Sequence, residues 1–341
     1  MINNKSFIIV LALLGMSFSN LEAQIKVVCS FSDYAGIVKE IGKDKVNVEY
    51  IGQGTQDPHF IPPKPSFAMM LKKADMWITT GMDLEVWSTT LLDKARNKKV
   101  MDGAAGFVSV SDGIRIIQKV EKADRTDGDV HLMGNPHINT GPMNWKNIAD
   151  NITIGLIKVD PANSSFYQTN RDDFKNRVDI AMFGDELVSM FTGDALGKML
   201  DNGTLMTFLE NEYEGAKLID KLGGWLKEAL PLRGMRFIAY HKNWAYFAET
   251  FGMDIAGYIE PKPGIPPSAK HVQYMVSLIK DQDIKVMLVA SYFEKKSPQM
   301  IEDKTGIKAV YLPLFVGGVE EASTNFKLVD FWIRETLKAT K

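Results

Sequence analysis

The sequence predicts an α/β protein of two lobes, each a parallel sheet flanked by helices, linked by a long rigid helix and carrying an extra helical insertion. Three observations lead there. Short β-branched runs alternate with helix-period segments in the first third of the chain and again in the last third. The stretch between them shows helix-period apolar residues and no strand pattern. The 341 residues, even without an export leader, exceed the roughly 100 to 200 residues of one ordinary domain.

The leader comes first. MINNKSFIIVLALLGMSFSNLEA carries Lys5, an apolar run from Phe7 to Phe18 and the small-residue ending Leu21-Glu22-Ala23. A basic start, an apolar centre too short to span a bilayer and a small residue at the cut form a cleaved secretory signal. Residues 1–23 are set apart from the fold, and the mature chain is expected in the periplasm. No cysteine stands at the cut, so no lipid anchor is expected. The single cysteine, Cys29, has no partner for an internal disulfide and reads as core packing.

The N-terminal lobe spans 24–142. IKVVCSF (25–31) is a strand, and YAGIVKEIG after it places Ile37 and Ile41 at helical spacing. VNVEYIG (46–52) alternates as a strand and runs into the loop QGTQDPHFIPPKPS. SFAMMLKKA reads as a helix capped by Ser66, and DMWITTG as the next strand.

Residues 143–217 supply the linking helix and the insertion. NWKNIADNITIGLIKVDPANSSFYQTNRDDFKNRVDIAMF has apolar positions three to four apart with one break at Pro161, where the ring removes a helix hydrogen bond. From Gly184 to Glu214, glycine-punctuated short helices carry Leu187, Val188, Met190, Phe191, Leu196, Met199 and Leu200, a set that packs on the linking helix or on a partner.

The C-terminal lobe, 218–341, repeats the grammar of the first without repeating its sequence. RFIAY is a strand leading into a helix from Ala245 to Phe251, DIAGYIEP is a strand, and PSAKHVQYMVSLIKDQD is a helix with Ser268 as its cap. KVMLVASYF and KAVYLPLF are further strands. Open parallel sheets bind ligands in the crevice outside the carboxyl ends of their strands. That crevice lies between the lobes.

Composition excludes several functions. Forty Lys and Arg balance 42 Asp and Glu and are scattered, so no basic groove for nucleic acid or anionic membrane is expected. HExxH, GxSxG and the P-loop pattern do not occur, which weighs against a zinc hydrolase and other enzymes built on those motifs.

The five histidines carry the positive signal. His59 follows a strand in DPHF, His131 and His137 lie in the Gly- and Pro-broken stretch GDVHLMGNPHIN, and His241 ends the strand RFIAY. His271 sits in a helix on a turn expected to face solvent and reads as incidental. Three imidazoles, His59, His137 and His241, delivered from strand ends toward one crevice suit Zn(II), or Mn(II) when carboxylates join them. Pro58 and Pro136 precede two of them and restrict the backbone, which lowers the entropy lost on binding. A receptor for chelated iron or an organic solute, with Phe60, Trp244, Tyr258 and Tyr292 lining its pocket, is the rival reading.

DPHF, GNPHIN, AYHKNW, GYIEPKPGIPPSAKHV and LPLFVGG, in this order behind an exported start, resemble the metal-binding solute receptors of zinc and manganese ABC importers, the zinc-uptake and Tro-like group. The resemblance implies two α/β lobes with a rigid linking helix, a metal buried between them and its delivery to a membrane permease. The protein is expected to be a monomer and not an enzyme. It places the DPH histidine at His59, the NPH histidine at His137 and the third at His241. Many members add an aspartate near the LFVGGV stretch, where this chain has Val316, Gly317 and Gly318.

Glu260, at a strand end before a Pro-rich loop, is the first substitute for the fourth ligand. His131 competes as a ligand but is read first as a support that bonds His137 or the ion's surroundings from outside, and water in the fourth position is the third alternative. Asp57 is expected to accept a hydrogen bond from His59. The family's His-rich gathering loop shrinks here to KVEKADRTDGDVH, with one histidine. The transported ion is expected to be Zn(II), with Mn(II) or Fe(II) as the alternative, and affinity is expected to fall as pH drops through about 6.5.

Overall fold

The computed structural model describes residues 24–119, 131–260 and 264–341. The expected signal peptide, and all but the ends of the run from Lys119 to His131, lie outside the described residues.

In the first lobe, strand β1 (Ile25–Phe31) leads into helix α1 (Ser32–Gly42), followed by β2 (Val46–Gly52), α2 (Pro65–Lys73), β3 (Met76–Thr79), α3 (Val86–Ala95) and β4 (Phe107–Ser109). The linking segment is two helices, α4 (Asn144–Val159) and α5 (Ser164–Phe183), which pack against each other across the break that Pro161 imposes. The insertion comprises α6 (Asp185–Phe191), α7 (Gly193–Asp201), α8 (Leu205–Leu209) and a hairpin of β5 (Glu212–Tyr213) and β6 (Ala216–Lys217). After α9 (Gly224–Glu228), the second lobe runs β7 (Arg236–Ala239), α10 (Ala245–Phe251), β8 (Asp254–Tyr258), α11 (Ala269–Asp281), β9 (Val286–Ala290), α12 (Lys296–Thr305), β10 (Lys308–Leu312) and α13 (Asn325–Ala339).

Both sheets are parallel throughout, β2-β1-β3-β4 in the first lobe and β10-β9-β7-β8 in the second. Reading the second from its other end gives the same order of first, second, third and fourth strand. The two lobes share one topology that their sequences do not display. In each, the order reverses between the first strand and the third, so β1 and β7 both open onto a switch-point crevice at their carboxyl ends.

One hydrophobic core runs through both lobes, from β1 and α1 through α4 and α5 to β7, β9 and α13. Trp145 of α4 meets Trp225 of α9 and Phe326 of α13 edge-on, with ring centroids 6.0 and 6.2 Å apart. Lys146 is buried beside them and bonds Asp179 of α5 at 2.7 and 2.8 Å and Asp194 of α7 at 2.6 Å. Breaking the buried Lys146–Asp179 pair would leave an unpaired buried charge, so it holds α4 to α5, while the exposed Asp194 adds a bond from the insertion. Leu187 and Leu196 of the insertion are fully buried; the expected packing is on α5.

Two local expectations are corrected. Ser66 does not cap α2, because Pro65 takes the first helical position and the chain enters from an extended Lys64, as the fixed φ of proline favours. His271 is not turned to solvent: its Nε2 lies 2.9 Å from the Tyr258 carbonyl. Ser268 does cap α11, accepting from His271 N.

Candidate metal centre between the lobes

His59 stands in the loop after β2. Asp57 Oδ1 accepts from the His59 amide at 3.0 Å and from its Nδ1–H at 2.8 Å, and Trp87 Nε1 fixes the intervening Pro58 carbonyl at 2.8 Å. The short aspartate side chain closes a turn and sets the ring tautomer at once. With the proton on Nδ1, the Nε2 lone pair of His59 is left for the crevice.

His137 is placed by a second such turn. Asn135 Oδ1 accepts from the His137 amide at 2.9 Å, while its Nδ2 donates to Lys242 O at 2.8 Å and Gln118 Oε1 at 3.0 Å. One asparagine thereby ties the NPH loop to the residue after His241. Thr140 Oγ1 lies 3.0 Å from His137 O and 2.9 Å from Asn243 O.

His241 follows β7, and Glu260 follows the neighbouring β8, its amide bonded to Tyr240 O. The parallel pairing of these strands delivers the carboxylate to the imidazole. Glu260 Oε2 accepts from His241 Nδ1–H at 2.6 Å and Oε1 accepts from Gly264 N at 2.7 Å. Both oxygens are occupied by N–H donors, so in this structure Glu260 stands behind His241 instead of beside its Nε2.

The ligand atoms of His59, His137 and His241 all lie within 4.8 Å of one another. His137 Nε2 is 3.3 Å from His241 Nε2, and His131 Nε2 is 3.2 Å from His59 Nε2. Burial, reinforced by the neighbouring imidazoles, holds His137 well below the ordinary histidine value and lowers His131 to about 3. Burial also lowers His241, against the opposing pull of Glu260. Lowering favours the neutral imidazole at His131, His137 and His241, the form that coordinates a cation.

The stretch Leu314–Gly318, where the resemblance leads one to look for an aspartate, has another occupation. Val316 N donates to Asp33 Oδ1 at 2.6 Å, Ser32 Oγ donates to Val316 O at 2.7 Å, and Asn139 Nδ2 donates to Asp33 Oδ2 at 2.9 Å. Burial lifts the Asp33 carboxyl to about 7. Beside this clasp the loops touch backbone to backbone, since a Cβ on Gly54 would come within 2.3 Å of Gly318 N. Neither the clasp nor Asn135 was singled out from sequence. The signals were present in the Asn two residues before His137 and in Ser32-Asp33 at the carboxyl end of β1.

Of the aromatic residues considered for an organic pocket, Trp244 is fully buried against Trp332 and Phe247. Phe60 is 63% exposed. Tyr258 OH accepts from Gln118 Nε2 at 2.9 Å and Tyr292 OH from Asn243 Nδ2 at 3.2 Å. No helix among the described residues is long and apolar enough to cross a membrane.

A family model described as the periplasmic zinc-uptake complex component A matches residues 27–181 and 196–337. The chain is 22% identical over 324 residues to the high-affinity zinc uptake system protein ZnuA of Bacillus subtilis, covering 93% of this chain and 87% of that protein. It is 30% identical over 181 residues to the manganese ABC transporter substrate-binding lipoprotein PsaA of Streptococcus anginosus, covering 51% of this chain and 55% of the relative. The match thus spans about half the length of that manganese relative. A crystal structure of ZnuA superposes with a TM-score of 0.68 at 20% identity, covering 94% of this chain and 100% of that one. A manganese-bound periplasmic metal-binding protein from Candidatus Liberibacter asiaticus gives 0.63 at 18%, covering 92% and 99%. These relatives are transport receptors and not enzymes.

Proposed function

Because the chain belongs to the family of the periplasmic zinc-uptake component A, we propose that it is a periplasmic receptor that captures a divalent transition metal between its lobes and hands it to an ABC-importer permease. The observation that carries this reading is the convergence of His59, His137 and His241, with ligand atoms within 4.8 Å of one another. The lobes are 24–142 and 218–341, with 143–217 between them, and the receptor acts as a monomer.

Zn(II) is the cargo the donor set favours. Imidazole nitrogens suit zinc, whereas Mn(II) prefers carboxylate, carbonyl and water oxygen. The nearby carboxylates are turned away from the crevice, Asp57 onto His59 Nδ1 and Glu260 onto His241 Nδ1. In that position they fix each ring and raise its basicity as a ligand. The hydrated ion exchanges its waters for imidazoles one at a time. The continuous core and the clasp at Val316 support small lobe movements and local loop rearrangement during this exchange, without wide closure.

Native mass spectrometry with elemental analysis tests the proposal on the mature protein, stripped and reloaded with Zn(II), Mn(II) or Fe(II). One tightly held zinc per chain, lost in His59→Ala, is expected. If no metal is retained under any loading, the reading fails and a receptor for another solute replaces it.

A further inference from the structure

We infer that His131 is the fourth ligand, so that the cargo is held by four imidazoles and no protein oxygen. This rests on the proposed metal-receptor function and specifies the coordination at that site. The position that Val316 occupies offers no carboxylate, and its backbone is committed to Ser32 and Asp33. Both oxygens of Glu260 are likewise engaged. Asp57 Oδ1 is engaged by the His59 amide and Nδ1, and among the described residues His131 is the further histidine whose Nε2 directly meets an Nε2 of the three.

Two of the distances match a zinc centre, while the group whose ligand atoms all lie within 4.8 Å of one another is His59, His137 and His241 without His131. With Zn–N bonds of about 2.0 to 2.1 Å, tetrahedral geometry puts neighbouring nitrogens about 3.3 to 3.4 Å apart. The His59–His131 pair at 3.2 Å and the His137–His241 pair at 3.3 Å form two opposite edges of such a tetrahedron. In the other directions the rings stand further apart, the His131 ring 6.2 Å from that of His137, so four-fold ligation requires them to move together.

The tautomers agree. His59 and His241 each give the Nδ1 proton to a carboxylate, so both present a bare Nε2. Each of those nitrogens faces the Nε2 of a second imidazole, that of His131 and that of His137. The Nδ1 of His137 is buried with no partner among the described residues. A cation among the four Nε2 atoms would replace both contacts at once.

The loop that carries His131 is built to place it. Gly134 has φ of +106° and presses so closely on the first lobe that a Cβ would meet Ile116 Cγ2 at 2.4 Å and Ile117 O at 2.9 Å. Its amide bonds His131 O at 3.1 Å, and the next amide bonds Ile117 O at 2.9 Å. Only glycine accepts that conformation in that space without strain. Two histidines six residues apart thereby reach one point from the same loop.

Zinc X-ray absorption on the full mature chain, loaded with one equivalent, counts the imidazoles. Four are expected in the wild type, and three plus one oxygen in His131→Ala and in His131→Gln. Zinc affinity of both variants, measured by chelator competition, should fall by at least the roughly 10- to 100-fold that loss of a mere supporting residue costs. Two variants with unchanged metal-free circular dichroism guard against a folding defect. Three imidazoles plus oxygen in the wild type, or four remaining in the variants, would overturn the assignment while leaving the receptor reading intact. Retention of zinc by His59→Ala would instead overturn the receptor reading itself.

Discussion

Glu260→Gln separates a carboxylate that holds a ligand from one that is a ligand. Glu260 Oε2 sits 2.6 Å from His241 Nδ1 and Oε1 sits 2.7 Å from Gly264 N, with the side chain only 8% exposed. Glutamine fills the same space with one acceptor in place of two. It can keep the His241 N–H or the Gly264 N–H, and the other must face an NH2 group. The bond to His241 also loses its charge, and charge-assisted hydrogen bonds are roughly twice as strong as neutral ones. Loss of such a partner typically lowers metal affinity about 10- to 100-fold, or about 1.4 to 2.7 kcal/mol. Chelator-competition titration of zinc at neutral pH reads this directly. A loss beyond about 1,000-fold, over about 4 kcal/mol, or the disappearance of a zinc–oxygen contribution from the absorption spectrum, would put Glu260 on the metal and refute the reasoning. Unchanged affinity would refute it from the other side, since His241 would then need no carboxylate.

Elemental analysis of His59→Ala and His241→Ala should show weakening of tenfold or far more, whereas His271→Ala, whose ring bonds a carbonyl in the second lobe, should retain metal like the wild type. Because His131, His137 and His241 are all lowered by burial, protons compete with the metal less than at free imidazole. The loss of affinity expected near pH 6.5 should therefore move to lower pH, as zinc retention across a pH series will show. The sign for stability follows from the same shifts. The folded metal-free chain binds fewer protons than the unfolded one, whose histidines titrate near about 6.5, so these residues' contribution is complete above that value and is lost as pH falls below it. Thermal unfolding of metal-free protein should show this drop. Gly54→Ala forces a Cβ to within 2.3 Å of Gly318 N; overpacking of this kind costs about 1 to 3 kcal/mol, and a melting temperature equal to wild type would show that the loops separate freely.

Much of the fold could be read along the chain because it is written in local periods. VNVEYIG was bounded as β2 to the residue, and Ser268 caps α11 as its position suggested. Ser66 misled because a proline one residue earlier outweighs a capping hydroxyl. The shared strand order could not be read, since it resides in which strands pair and not in which residues form them. The same division holds at the site. His59, His137 and His241 were legible as strand-exit and loop histidines, and the structure brings them together. The work of Glu260 was not legible, because only the parallel pairing of β7 with β8 reveals that its oxygens face Nδ1 and an amide. Asp33 was not singled out, because its partners Asn139 and Val316 lie 106 and 283 residues away.

The two carboxylates behind the imidazoles can also be counted as charges. Asp57 and Glu260 each stand on the far side of an imidazole from the crevice, so a divalent ion taken up among the rings adds its charge in front of two carboxylates. The filled and empty forms then differ far more in the field they project than in their outline.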